Sequence, residues 1–234
     1  NVSMTNCTRD LEINNDLTTG FFLGIHAFSK TYIAANSSFY TDSRSNTVTV
    51  GTKGSDFTSL ADAINHINPT FAISMDSTTT ITSAGLFYKN LDGVIIQAAS
   101  GIQANTTVTY VDDSTLTLSQ TATATQVIDA KFIVSSETNP FTVMIGPGVF
   151  YEDTVHIESH ISVYGAGGEM TTLKPNTAAA TFLHMHNHTS LRYVTITEAN
   201  GVGGLAIHIE ANAENVDIGE CEFIDCETMI KIIP

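Results

Sequence analysis

Short runs of alternating apolar and polar residues, separated by glycine-rich turns, recur along the second half of the chain. The first three are Phe141–Ile145, Thr154–Ile157 and Ile161–Tyr164, and the turns lie at 146–148 and 165–168. Alternation with a period of two places every second side chain on one face, which is typical of β-strands. Because the runs are short and glycine interrupts them at nearly regular spacing, they predict the stacked rungs of a β-solenoid.

Similar units begin at Ile161, Leu191 and Asn215, roughly 25 to 30 residues apart. Between them lie further alternating stretches at 182–188 and 205–209. In a solenoid each unit buries its apolar side chains only against its neighbours, so a single unit is not stable alone. We therefore expect one continuous core that runs through the stack.

One stretch has helical rather than strand spacing. Apolar residues within Leu60–Ile67 recur three and four residues apart, which predicts one buried helix face. Thr58 or Ser59 is suited to the N-cap position, and Pro69 ends the helix. We expect this helix to cap the end of the solenoid.

The composition of residues 70–136 differs from that of the flanking segments and predicts a small β-subdomain inserted into the main fold. The segment is rich in threonine and alanine, with alternating strands expected at 93–98, 106–111 and 115–118. Asp112–Ser114 separates the last two strands and has the composition of a hairpin turn.

Residues 1–46 lack a clear period, and we expect an N-terminal arm or irregular cap there. A strand or two covering the end of the main core is the alternative interpretation. The predicted solenoid then comprises residues 47–69 and 137–234, with the insert between these two parts.

Composition describes a globular, acidic protein. Of the 234 residues, 42% are hydrophobic and 14% charged, and the net charge of −15 reflects only 9 Lys and Arg residues. Such a surface repels nucleic acid and anionic membranes, so we expect neither as a partner. Membrane insertion is also not expected, because no stretch is long and apolar enough to span a bilayer. Threonine, serine and asparagine carry the polarity, as in many extracellular β-proteins and viral fibres.

The cysteines do not indicate whether the protein belongs to a reducing or an oxidising compartment. There are three, Cys7, Cys221 and Cys226, without the spacing of a metal site. A bridge between Cys221 and Cys226 is one interpretation, and two thiols packed against the core is the other.

The stretch from His184 to His188 carries three histidines at alternate positions. On a strand these imidazoles would share one face, while Leu183 and Met185 would point to the core. His184 and His186 are then a candidate site for a divalent metal such as Zn, Ni or Fe, which threefold symmetry in a fibre would complete. The alternative is an exposed polar face without a ligand.

Two stretches carry a family resemblance. Val48–Ile64 combines a strand, a glycine turn and the predicted helix, and Pro140–Thr172 contains the segments Gly148–Glu152 (G-V-F-Y-E) and Val163–Gly167 (V-Y-G-A-G). Together they resemble the pectin methylesterase branch of the pectate-lyase-like proteins. The resemblance implies an all-β fold: a right-handed parallel β-helix of the pectin-lyase-like kind, with one N-terminal capping helix and a small β insert.

The catalytic motifs of that family are not matched. Its first catalytic glutamine would fall at Gly203, and its Gln-Asp pair at Cys226 and Glu227. De-esterification needs a nucleophilic carboxylate, a second carboxyl group and an oxyanion-stabilising donor together. Glu227 is the only catalytic candidate that the resemblance leaves, so we do not expect pectin esterase activity.

The insert has its own resemblance. Its segments Ala104–Thr109 and Leu116–Thr125 resemble modules of phage and viral tail-fibre or surface proteins. Tyr151, Tyr164 and Tyr193 are candidates for stacking on sugars. We therefore expect a non-enzymatic viral or phage surface protein, part of a fibre or spike at the virion surface or outside the cell.

Its expected partners are further copies of itself in a homotrimer, other virion proteins, and the polysaccharide of a host cell surface or capsule. Two other classes compete with this interpretation. One is a polysaccharide-modifying enzyme, either pectin-esterase-like or a tailspike-like depolymerase that uses carboxylates on adjacent rungs. The other is a secreted adhesin.

Overall fold

The structure is a computed structural model that describes residues 11–13, 31–33, 46–52, 54–84, 87, 89–177, 181–199 and 204–232. The chain divides into two compact units, Asn1–Thr47 and Val48–Pro234. In the first unit, strands β1 (Leu11–Ile13) and β2 (Thr31–Ile33) form a parallel pair. Within the predicted N-terminal arm, residues 1–10, 14–30 and 34–45, and with them Cys7, lie outside the described residues.

Strand accounts for 51% of the chain and helix for 6%, so the predicted all-β class is confirmed. The other elements, in chain order, are β3 (Thr47–Val50), α1 (Leu60–Ile67), β4 (Thr70–Asp76), β5 (Thr80–Thr82), a 3₁₀ turn (Lys89–Leu91), β6 (Ile95–Ala98), β7 (Val108–Asp112), β8 (Thr115–Leu118), β9 (Thr125–Ile133), β10 (Phe141–Ile145), β11 (Gly148–Glu152), β12 (Val155–Ile157), β13 (Ile161–Gly165), β14 (Thr171–Pro175), β15 (Thr181–Met185), β16 (Ser190–Arg192), β17 (Thr195–Thr197), β18 (Leu205–Ile209), β19 (Asp217–Gly219), β20 (Glu222–Ile224) and β21 (Thr228–Ile232).

Three parallel sheets build a β-solenoid of about four turns. The chain passes once through each sheet per turn, so that β10, β11 and β12 belong to the first turn and β13, β14 and β15 to the second. The sheets have the strand orders β19-β16-β13-β10-β3, β11-β14-β17-β20 and β12-β15-β18-β21. The predicted solenoid is thus confirmed, and its form is consistent with a right-handed β-helix.

The interior is a stack of apolar side chains in register. Val143 lies opposite Val163, Val163 opposite Leu191, and Leu191 opposite Ile218. Leu191 is fully buried, and burying such a side chain contributes about 1.5–3 kcal/mol. At Gly165 the backbone of the next turn comes very close, because an added Cβ would lie 2.1 Å from the carbonyl oxygen of Tyr193.

Helix α1 begins and ends where the sequence predicts. The Ser59 side chain is the N-cap and accepts a hydrogen bond from the Asp62 amide at 3.2 Å. The apolar face of the helix is buried in the same hydrophobic core as the solenoid interior. Just after the helix, the buried Asn68 side chain accepts hydrogen bonds from the amides of Val134 and Ser135, at 2.8 and 3.0 Å. The start of the inserted segment is thereby joined to its end.

Residues 70–133 form a six-stranded antiparallel sheet with the order β6-β9-β4-β5-β8-β7. It has a separate hydrophobic core, in which Phe71, Phe87 and Phe132 contact one another with ring centroids 5.3–5.9 Å apart. The predicted hairpin is present, since β7 pairs with β8 and Asp112 Oδ1 accepts a hydrogen bond from the Ser114 amide at 2.9 Å.

Cys221 and Cys226 are free thiols packed against the solenoid core, which matches the second interpretation of the cysteines. Burial raises the pKa of both thiols. Among the described residues, no helix has the length and apolar character needed to cross a membrane.

Candidate functional site

Histidines on successive turns line up along the outer face of the β12-β15-β18-β21 sheet. Strand register places His156 opposite His184, His184 opposite His208, and His208 opposite Lys231. Neighbouring strands lie about 4.8 Å apart, so side chains in register contact each other. The rings of His156 and His184 stack with centroids 4.4 Å apart, and those of His184 and His208 lie 5.1 Å apart. We call His156, His184 and His208 the histidine ladder.

Two residues just beyond the strand ends join this ladder. Glu210 follows β18, and its Oε1 lies 2.6 Å from His184 Nδ1 and 4.0 Å from His208 Nδ1. His186 follows β15, with its ring 5.9 Å from that of His156. The Nε2 atoms of His186 and His208 are buried, and neither has a hydrogen-bond partner within the described part of the chain.

Local contacts lower the pKa of two groups in this cluster, Glu210 and His156. The hydrogen bond with His184 is the main cause that lowers the pKa of Glu210, and the charges of His208, His184 and His186 lower it further. Burial is the main cause that lowers the pKa of His156, followed by the proximity of His184. Metal binding requires an ionised carboxylate or an unprotonated imidazole nitrogen, and the lowered pKa values of Glu210 and His156 favour these forms at those two groups.

Among the residues that the structure describes, two overlapping groups of three side chains could hold a metal ion. One comprises His184, His208 and Glu210, and the other His156, His186 and Glu210. Within each group the donor atoms all lie within 4.8 Å of one another. The structure therefore assigns the two sequence candidates, His184 and His186, to different groups, each completed by residues from neighbouring turns.

His188 does not lie on the face that strand alternation predicts for it. Strand β15 ends at Met185, and His188 has a left-handed backbone with φ +53°. Its ring stacks instead on His160, with centroids 4.8 Å apart, and its Nδ1 lies 3.2 Å from Asn215 Nδ2. The expectation that all three imidazoles share one face is wrong at this position, because the chain turns after the strand.

Sequence reasoning missed His156, His208 and Glu210 as members of the cluster. Both histidines stand in short alternating runs, at the outward position between two apolar residues. That signal was available, but it did not say which histidines would lie opposite each other.

The three candidate tyrosines do not form one site. Tyr151 lies on the outer face of the β11-β14-β17-β20 sheet and is 57% exposed. Its register partner is Lys174, whose Nζ lies 5.6 Å from the Tyr151 ring centroid. Tyr164 and Tyr193 are associated with another sheet, and their rings lie 6.5 Å apart.

Several carboxylates of the solenoid are engaged in structural contacts. Glu227 Oε2 accepts a hydrogen bond from the Gly204 amide at 3.0 Å, while Gly203 lies outside the described residues. Asp217 Oδ2 accepts a hydrogen bond from Arg192 Nε at 2.6 Å, which is the main cause that lowers the pKa of Asp217. The Glu158 carboxylate is paired with Lys131.

No protein-family model, curated protein or solved structure matches the chain. The resemblance to the right-handed β-helices is therefore supported at the level of the solenoid fold alone.

Proposed function

We propose that this chain is a non-enzymatic surface protein whose rigid β-solenoid attaches to polysaccharide, as part of a viral or phage fibre or spike. The observation that carries the proposal is the exposed Tyr151 ring on the outer face of the β11-β14-β17-β20 sheet. An aromatic ring offers an apolar face to the C–H groups of a sugar, and its hydroxyl group can form a hydrogen bond.

Charged groups stand beside this ring. Lys174 Nζ lies near the Tyr151 ring and forms an ion pair with Glu198 Oε1 at 2.5 Å. The pair presents both hydrogen-bond donors and acceptors to a ligand beside the ring. A small number of polar groups beside an apolar contact is the usual way in which a protein orients a ligand.

Engaged carboxylates support the non-enzymatic part of the proposal. A glycosidase needs two carboxyl groups that are free to transfer protons or attack the sugar. Glu227, the catalytic candidate, binds a backbone amide, and Asp217 is paired with Arg192. Both carboxylates are already engaged in contacts within the solenoid, which makes them less available as acid and base.

A polysaccharide panel tests the attachment proposal with a matched pair of variants. We expect the purified chain to bind at least one cell-surface or capsule polysaccharide, and Tyr151→Ala to weaken that binding about tenfold or more. Tyr164→Ala, which removes a tyrosine from another sheet, should leave the affinity within about twofold. Equal losses in both variants would contradict the assignment to Tyr151.

The same panel addresses the enzymatic alternative. Polysaccharide hydrolysis or de-esterification by the purified chain, lost in Glu227→Ala, would replace the non-enzymatic proposal with the enzyme. The fibre assignment has a separate readout in the solution mass from light scattering, where a homotrimer supports it and a monomer argues against it.

A further inference from the structure

We infer that the histidine ladder binds one divalent transition-metal ion of the zinc class, with His184, His208 and Glu210 as its protein ligands. This inference is independent of polysaccharide attachment, because the ligands lie on a different sheet from Tyr151. It rests on the spacing of the donor atoms, on their chemistry and on buried nitrogen atoms that have no partner among the described residues.

The two distances from the Glu210 carboxylate to the histidine nitrogens lie on either side of the spacing that ligands have around a tetrahedral zinc ion. Zinc lies about 2.0–2.1 Å from its nitrogen and oxygen ligands, so donor atoms around it are about 3.3 Å apart. Glu210 Oε1 lies 2.6 Å from His184 Nδ1 and 4.0 Å from His208 Nδ1. Small side-chain rotations would open the shorter distance and close the longer one.

The backbone already holds the three ligands close together. His184 and His208 are register partners on β15 and β18, and Glu210 directly follows β18. Only side-chain torsions need to change, so little conformational entropy is lost on binding. An ion held here would connect the second and third turns of the solenoid.

The described residues do not satisfy every buried nitrogen atom of the cluster. His208 Nε2 is buried and has no hydrogen-bond partner among the described residues, and His186 Nε2 is in the same condition. A buried polar atom without a partner destabilises the folded protein. An ion bound through Nδ1 of His208 leaves Nε2 to a water molecule at the site, because one imidazole cannot offer both nitrogens to the same ion.

The donor set selects the class of ion. Two imidazoles and one carboxylate suit zinc, cobalt, nickel or copper, whereas calcium and magnesium prefer sites built from oxygen ligands. Three protein ligands leave a fourth tetrahedral position for water.

The contacts of Glu210, which belongs to both overlapping groups, favour the group with His184 and His208. Its carboxylate already lies against His184 and close to His208, and both of these side chains are partly buried. The other group depends on His156, which is exposed. We therefore assign the ion to His184, His208 and Glu210.

The test is titration of the full chain, freed of metal with EDTA and then dialysed, with Zn²⁺ by calorimetry and Co²⁺ by visible absorption. We expect one ion per chain and the absorption bands of Co²⁺ with four or five nitrogen and oxygen ligands. Glu210→Gln and His208→Asn should each raise the dissociation constant about tenfold or more. Excess Mg²⁺ and Ca²⁺ should not displace the ion.

Two further variants make the assignment specific. His188→Asn removes a histidine from the other stacked pair and should leave the dissociation constant within about twofold. His156→Asn should do the same, and a loss equal to that of His208→Asn would overturn the choice of ligands. Failure of the folded wild-type chain to bind Zn²⁺ or Co²⁺ would overturn the site altogether.

Circular dichroism and thermal unfolding of each metal-free variant separate lost ligation from lost folding. If His208→Asn does not fold, Glu210→Gln and the Co²⁺ spectrum still decide. Polysaccharide binding by Glu210→Gln should equal that of the wild type, so the two proposals can fail separately.

Discussion

Glu152 ends β11 and places a carboxylate at the start of helix α1. Only 2% of the residue is exposed. The carboxylate accepts hydrogen bonds from the amides of Leu60 and Ala61, at 2.5 and 3.3 Å, and from the Ser59 hydroxyl at 2.9 Å. The first amides of a helix lack partners within it and carry partial positive charge, so a negative charge there is stabilising. One side chain thus connects the capping helix to the first turn of the solenoid.

We predict that Glu152→Ala lowers the free energy of unfolding by about 1–3 kcal/mol, because it leaves buried donors unpaired. Urea denaturation followed by circular dichroism measures this difference. Glu198→Gln is the control, since its ion pair with Lys174 is half exposed and should change stability by less than about 1 kcal/mol. Equal effects of the two substitutions would show that the buried contacts of Glu152 do not stabilise the helix.

At the scale of elements, the same corner of the solenoid has a residue with left-handed backbone in three successive turns. His160, His188 and Asn215 have φ values of +62°, +53° and +54°. Asparagine and histidine tolerate this region better than most residues. Because the corners stack, the ring of His160 lies on that of His188, and His188 contacts Asn215.

This corner predicts a loss of stability in acid. Burial, and then the proximity of His188, lowers the pKa of His160 below its ordinary value of 6.5. The unfolded chain therefore binds a proton at a higher pH than the folded chain does. The contribution of His160 is complete above about pH 6.5 and decreases as the pH falls through the folded-state pKa.

We expect the urea midpoint, measured in EDTA, to fall between about pH 7.5 and pH 5.5. His160→Asn, which keeps a residue suited to a left-handed backbone, should reduce this fall. His66→Asn, on the exposed face of α1, is the control and should keep the fall of the wild type. An unchanged fall in His160→Asn would show that the stacked pair does not contribute to it.

At the scale of the whole molecule, the solenoid and the insert have separate hydrophobic cores. Leu191 and Phe182 belong to the solenoid core, whereas Leu116 and Phe132 belong to the core of the insert. Regions with separate cores can open separately, since local unfolding follows the boundaries of cooperative units.

Hydrogen exchange should reveal this separation. Leu116→Ala and Leu191→Ala each remove a fully buried side chain and should cost about 2–5 kcal/mol locally. We expect Leu116→Ala to reduce amide protection within residues 70–133, and Leu191→Ala to reduce it within 141–232. Loss of protection across both regions in either variant would mean that the chain unfolds as one unit.

Much of the architecture follows from local patterns. Helical spacing in Leu60–Ile67 specified the helix, and the short alternating runs specified stacked rungs, because burial on one face imposes these periods. The sequence predicts a glycine-rich turn at Gly165. Glycine is required there because the Tyr193 carbonyl, in the next turn of the solenoid, comes very close. Local patterns thus specified which elements form and which face of each is buried.

Tertiary structure decided which of those elements lie side by side and in what register. Alternation forbids a shift of one residue between strands, because that would turn the core face outward, but it permits a shift of two. A shift of two would place His186, instead of His184, opposite His156. The lengths of the turns between rungs and the fit of the shared core select the observed register. The partners of His184, and the contact of Glu152 with a helix 92 residues earlier in the chain, exist only once that register is set.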